Sequence, residues 1–476
     1  MQREYLSNID NALLRLDSAR NRMIVTGLMT FASPLESARL QSVLEQKLLI
    51  YPRFRQRIAH PYTSFGRAYW EVDPFFNMDH HISVIHTPLP EDPVLIQSLV
   101  SRLLGLGMDP ARPLWQAFLV EKYGEGSVLI LRFHHTIADG MSLVKVLLSI
   151  TDDQPEPGST STSVSSTATA FTADGNHHYW RSGPLQIFSK AATAGWQMLT
   201  EKDGFVNAAQ LGASALTAFR HLVMSAADTD NIFRGDTGID KRAAWTPSIS
   251  LEKVKNVGAV YGCLVNDVLL SAAAGALRKY IDLHSGELDD LILHGFIPID
   301  LRRESRRAKT RFISNGSFNG NFGNKFGFGI LALPVGQADP VLRLRSVHDA
   351  MDEVKDSGDA LVSYLILNVF GAVPGEIEDL ASYFWITKGS TIITNVAGPD
   401  HQLYLGGVPV ETMMGWVPQH GDIGLGISIF SYNGNVRIGI ATDESLVPDP
   451  EKIVDYFMEE FELLYGASLA PDSKAS

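Results

Sequence analysis

The chain of 476 residues contains a single cysteine, Cys263, which excludes an intrachain disulfide and argues against a thiolate metal centre. That suits a reducing compartment. No uncharged apolar run approaches the ~18 residues of a membrane span, and Met1-Gln2-Arg3-Glu4-Tyr5 lacks the apolar core of a secretory signal. A cytoplasmic protein is the expectation. Basic clusters are scarce too: 40 Lys and Arg stand against 53 Asp and Glu, a net charge of -13, and Arg302-Arg303 with Arg306-Arg307 form the one dense basic spot. No nucleic acid partner is expected on that balance. A Gly-x-Ser-x-Gly elbow, a phosphate loop and a dinucleotide fingerprint are all missing. The glycine-dense stretch from Gly316 to Gly329 has the wrong spacing for such a fingerprint and reads as a loop leading into a strand.

What remains is a chain that is 45% hydrophobic and long enough for two large lobes. Its most informative stretch is His134-His135-Thr136-Ile137-Ala138-Asp139-Gly140. Val128-Leu129-Ile130-Leu131 before it has the length of a buried strand, whereas Met141, Val144, Leu147 and Leu148 after it recur at helical spacing. The motif therefore occupies a strand-to-helix corner. Asp139 sits where a helix N-cap is expected, and Gly140 is suited to backbone angles closed to other residues. A histidine fixed at such a corner can take a proton from a substrate and return it. Adjacency alone carries little weight, since His80-His81 and His177-His178 are also pairs but lack the Asp-Gly that follows. A packed strand end with one buried and one solvated histidine is the competing reading. Metal binding is disfavoured, because adjacent side chains leave a strand on opposite faces.

Pro155, Pro157 and Gly158 open a Ser/Thr-rich tract that cannot bury apolar area and reads as a flexible linker. The organisation expected is a first lobe over 1–152, a linker with bridging helices over 153–247, and a second lobe over 248–476. Within the second lobe, Leu264 to Leu277 form an apolar helical stripe carrying Asn266-Asp267. Leu291 to Ile297 reads as a buried strand, Tyr432-Asn433-Gly434-Asn435 as a hairpin turn, and Pro450 to Tyr465 as a helix. Strands and helices mix without a regular βαβ alternation, which indicates an α+β class with mixed sheets.

With no recognisable nucleophile beside His135, transfer would proceed by direct attack of one substrate on another. Such a step needs a base, a donor for the developing oxyanion and a cleft for both substrates. His135 is the candidate for the first and Asn266 for the second. The competing reading of Asn266 is a helix cap.

The seven residues from His134 to Gly140 resemble the HHxxxDG motif of the superfamily that includes chloramphenicol acetyltransferase and peptide-synthetase condensation domains. Pro113-Leu114-Trp115, Asn266-Asp267-Val268, Pro298-Ile299-Asp300-Leu301-Arg302, Gly323-Asn324 and Thr394-Asn395-Val396-Ala397-Gly398-Pro399 are similar, in order, to motifs of the bacterial-type wax ester synthase/diacylglycerol acyltransferases. The resemblance implies two chloramphenicol-acetyltransferase-like lobes with an active-site tunnel between them. It implies an acyltransferase that esterifies a long-chain alcohol or diacylglycerol with acyl-CoA, a substrate, and so without a cofactor. His135 would be the general base, His134 and Asp139-Gly140 its scaffold, and Arg302 the partner of Asp139. Asp267 and Trp115 would lie near the tunnel with Asn266, and Phe133, Leu143 and Val144 would line it. Peripheral contact with a membrane or lipid droplet would follow from such substrates. Asp300 departs from the family's usual small polar residue and could itself occupy Arg302. A different hydroxyl or amine acceptor, or a lipid-binding role without catalysis, are the alternatives.

Overall fold

The computed structural model describes residues 4–60, 68–155, 228, 231–284, 288–301, 324–357, 359–372 and 388–469. The Ser/Thr-rich tract, the helices expected over 184–226, the pair His177-His178 and Arg302 lie outside the described residues.

Two mixed sheets organise the chain. The first has six strands in the order Tyr404–Leu405, Val408–Trp416, Ile24–Phe31, Gly126–His134, Trp115–Tyr123 and Ile82–Ile85. Every residue of Gly126–His134 is buried, as a central strand covered on both faces must be. The second sheet runs Phe326–Leu333, Leu293–Asp300, Thr391–Ala397, Leu425–Tyr432, Asn435–Asp443 and Lys241–Trp245, with Ile249–Ser250 pairing beside Asn435–Asp443. Thr391–Ala397 lies parallel to both neighbours, whereas the other pairings along this path are antiparallel. The class is α+β, with a separate hydrophobic core for each sheet. At the expected hairpin, Asn433 and Gly434 take φ of 47° and 73°, the left-handed backbone whose twist matches the flanking strands.

The lobe boundaries read from composition need correction. Lys241–Trp245, placed in the linker over 153–247, is an edge strand of the second sheet. Val408–Trp416, placed in the second lobe over 248–476, pairs antiparallel with Ile24–Phe31 of the first sheet. Its Val408, Val410, Met413, Met414 and Trp416 are buried there. Periodicity reports that such residues need a core, but not which core takes them. The exchange ties the lobes together, and Trp416 meets Trp245 at a ring separation of 5.4 Å.

Two helices complete the junction. Asn8–Leu16 begins with a capping box, in which Ser7 and Asp10 each satisfy the other's backbone N–H. It lies against Asp359–Ala372, where Asn11 Nδ2 donates to the Gly371 carbonyl at 2.8 Å. A Cβ on Gly371 would fall 1.6 Å from the Asn8 carbonyl oxygen, so this approach requires glycine.

Candidate active site

The corner after Gly126–His134 turns its two histidines in different directions. His134 goes inward and is 3% exposed. Its Nδ1 accepts from the Thr136 N–H at 3.2 Å, and its Nε2 lies 3.6 Å from Asp17 Oδ1. Burial raises the pKa of the Asp17 carboxyl, but the bonds from His134 and the Met23 N–H outweigh it and hold that pKa below the usual value. His134 thus works as a cross-brace beneath the corner.

His135 faces a cavity between the sheets and has a ring whose orientation is settled by its partner. Asn324 Nδ2 donates to Asp10 Oδ1 at 2.6 Å and to the carbonyl of His135 at 2.9 Å. The amide oxygen of Asn324 must therefore be the atom 3.1 Å from His135 Nδ1. Nδ1 carries the hydrogen, and Nε2 keeps the lone pair. Burial lowers the imidazole pKa below its ordinary value, against the opposing pull of the Asp139 carboxylate. The ring is neutral at neutral pH and able to accept a proton.

Asp139 caps the helix Gly140–Ile150 as the sequence indicates, its Oδ1 accepting from the Ser142 N–H at 2.9 Å. Its Oδ2 reaches the other lobe and accepts from the Lys325 N–H at 3.2 Å. Gly140 does not have the special backbone expected of it. It is absent from the positive-φ glycines, and a Cβ there would meet nothing within 4 Å. Its lack of a side chain keeps open the cavity it lines beside His135.

The cavity has a volume of about 190 Å³. Leu13, Leu16, Met23 and Val25 wall it from one side, Phe326, Phe328 and Ile392 from the other, and Pro298 and Asp300 of the expected motif also line it. Phe133, Leu143 and Val144, expected in the lining, are not part of it. Trp115 is fully buried in the first core, stacked on His81 at 4.5 Å and donating its indole N–H to the Phe54 carbonyl at 2.8 Å. It does not reach the cavity, and His81 of the second histidine pair is a core residue beside it. Asp267 is fully buried in the other lobe, where Oδ2 accepts from the Leu264 N–H at 2.8 Å and lies 2.7 Å from His348 Nδ1. Neither residue can touch a substrate in the cavity. Asn266 is not a lining residue either; its Oδ1 accepts from Nδ2 of Asn395, which is one. Asp267, in the first turn of Val265–His284, satisfies the Leu264 N–H at the start of that helix, a role expected for Asn266 in its competing reading.

Asp10 and Asn324 are the site residues that sequence reasoning overlooked as functional. Asp10 looks like an ordinary first-turn acid, and Gly323-Asn324 carries no chemistry until the second lobe folds against His135. Replacing Asn324 with Leu should remove the acceptor for Nδ1–H and lower kcat about 10²-fold, the low end of a general base's worth. Steady-state kinetics with a melting curve check this, and a lost activity that merely followed a lost fold would contradict it. For metal, Cys263, Asp267 and His348 place donor atoms within 4.8 Å of one another. The thiol there is pushed up to about 11 by burial and by Asp267, so it is protonated as it stands.

A histidine held in one tautomer, at a cavity shared by two lobes, can accept a proton from a molecule bound there. Solved structures share the fold at low identity. The first condensation domain of the calcium-dependent antibiotic synthetase superposes with a TM-score of 0.59 at 12% identity, covering 99% of this chain and 97% of that one. The wax ester synthase/diacylglycerol acyltransferase from Marinobacter aquaeolei VT8 gives 0.66 at 19%, covering 98% and 99%. Residues 6–269 match the wax ester synthase/diacylglycerol acyltransferase catalytic domain, and residues 322–465 match the WS/DGAT C-terminal domain. The chain belongs to the wax ester synthase/diacylglycerol acyltransferase family and is an acyltransferase. Among curated relatives, a Mycobacterium tuberculosis protein named provisionally as a diacylglycerol O-acyltransferase is 25% identical over 98% of this chain and 91% of its own length. Another from that species, tgs1, with the same provisional activity in its name, is 25% identical over 94% and 92%.

Proposed function

We propose that this acyltransferase esterifies a long-chain alcohol or diacylglycerol with the acyl group of acyl-CoA, making wax ester or triacylglycerol, with His135 as general base. The observation that carries the reading is the neutral His135 on an apolar cavity, with Nδ1 occupied by Asn324. In the step proposed, Nε2 takes the proton of the acceptor hydroxyl as its oxygen attacks the thioester carbonyl carbon. Collapse of the tetrahedral intermediate breaks the C–S bond, and the imidazolium returns the proton to the departing thiolate. Atoms and charge balance without a cofactor. Holding both substrates beside His135 would contribute about 7–11 kcal/mol to the rate. The apolar walls suit a fatty chain. Among the described residues no single helix is long and apolar enough to cross a membrane. A lipid acceptor of this kind would be met at a membrane or droplet surface.

The test is to incubate the purified protein with palmitoyl-CoA and either hexadecanol or diolein, following thiol release and separating products by chromatography. Ester with at least one acceptor is expected, and none with either overturns the reading. The pH profile gives a second check. A base with a lowered pKa stays unprotonated until the solution is acidic, so kcat/KM should be flat through neutrality and fall only below pH 6.5, the ordinary imidazole value. An acid limb above that value would place the base elsewhere.

A further inference from the structure

The cavity contains a second imidazole that the proposed chemistry does not use. His420 lies on the loop between Val408–Trp416 of the first sheet and Leu425–Tyr432 of the second, and it is a lining residue of the same cavity as His135. Both ring nitrogens are buried, and among the described residues neither has a hydrogen-bond partner. Other polar side chains on these walls differ. Asp139, Ser363, Asn395 and His135 each bond to the protein. A buried polar group left unpaired is destabilising, and this loop has little freedom to relieve it. Gln419 Nε2 is tied to the Ala441 carbonyl at 2.7 Å, and the Gly421 carbonyl accepts from Asn21 Nδ2 at 3.0 Å. The backbone is thus pinned on both sides of the ring. Burial pushes the His420 pKa down to about 4, so the ring is neutral and offers one N–H and one lone pair.

We infer that His420 is the polar point of an acceptor subsite that hydrogen-bonds a second oxygen of the acceptor, the ester carbonyl of a diacylglycerol. The inference rests on the proposed acyl transfer and deepens it. A simple fatty alcohol has one oxygen, and the reaction puts it at His135, which leaves His420 unpaired. A diacylglycerol has ester carbonyls a few bonds from its free hydroxyl and so carries an oxygen for each position. Val417 and Pro418, next to His420 in the chain, also line the cavity. One unpaired imidazole flanked by Val417 and Pro418 matches an ester between acyl chains and mismatches the amide- and hydroxyl-rich arm of coenzyme A. Sites built to bond a particular oxygen discriminate against ligands lacking it, because their buried polar groups are then left unpaired.

The experiment compares wild type, His420→Phe and His420→Gln with palmitoyl-CoA and either 1,2-diolein or hexadecanol, each protein checked by its melting curve. His420→Phe should lower the ratio of kcat/KM for diolein over hexadecanol about tenfold, a modest value for one lost hydrogen bond, mainly through KM. His420→Gln, which keeps a donor and an acceptor, should recover much of that ratio. An unchanged ratio, or equal loss with both acceptors, overturns the subsite. Calorimetric binding of 1,2-dioctanoylglycerol reads it independently of turnover. Binding that weakens in His420→Phe while wild type forms no ester would sustain the subsite and sink the acyl-transfer reading; binding indifferent to the substitution would sink the subsite.

Discussion

Substituting His135 with alanine is expected to lower turnover by about 10²- to 10⁴-fold, the range attributed to a positioned general base. The fold should survive, because among the described residues the side chain makes one hydrogen bond, to Asn324, and one ring contact, to Phe326 at 5.4 Å. His134→Ala should behave differently. Its ring bonds to Thr136 and faces Asp17, which in turn holds the Met23 N–H, so its loss weakens the corner without removing the base. Thiol release at saturating palmitoyl-CoA, beside a melting curve for each variant, separates the two. Complete and equal loss at both positions would deny His135 its distinct role.

The second large effect is on stability. Trp115→Ala should cost about 3–5 kcal/mol, the usual range for deleting a buried aromatic side chain. The residue is fully buried, stacks on His81, meets the Phe54 ring at 6.3 Å and satisfies the Phe54 carbonyl. Denaturant unfolding measures the cost. Where folded protein is recovered, its preference between diolein and hexadecanol should match wild type, because the side chain does not line the cavity. A change of preference would return Trp115 to the substrate site.

Residues near the HHxxxDG motif in the chain were easier to read than residues near it in space. The Asp139 cap, the hairpin at Asn433-Gly434 and the C-terminal helix follow from local patterns, since hydrogen bonds between near neighbours in the chain fix them. Gly140 was misread because a glycine's sequence position does not say whether its φ or its missing side chain is needed. Trp115 and Asp267 lie in stretches that resemble motifs of the family, yet both are buried in the cores of their lobes. Periodicity cannot distinguish an aromatic that anchors a strand from one that meets a ligand.

By itself, the sequence determined the strand-to-helix corner that carries His134 and His135, and the α+β class. These follow from residue identity and short-range spacing. Only the tertiary structure decided which histidine faces the cavity, and which nitrogen of His135 holds the lone pair. Asp10, His135 and Asn324 meet only when the lobes close, for His135 and Asn324 are 189 positions apart and Asp10 and Asn324 are 314. The same closure puts His420 on the wall of the cavity and sends Val408–Trp416 to the first sheet. Pairings over such separations depend on how whole surfaces fit together, and no local pattern in the chain encodes that fit.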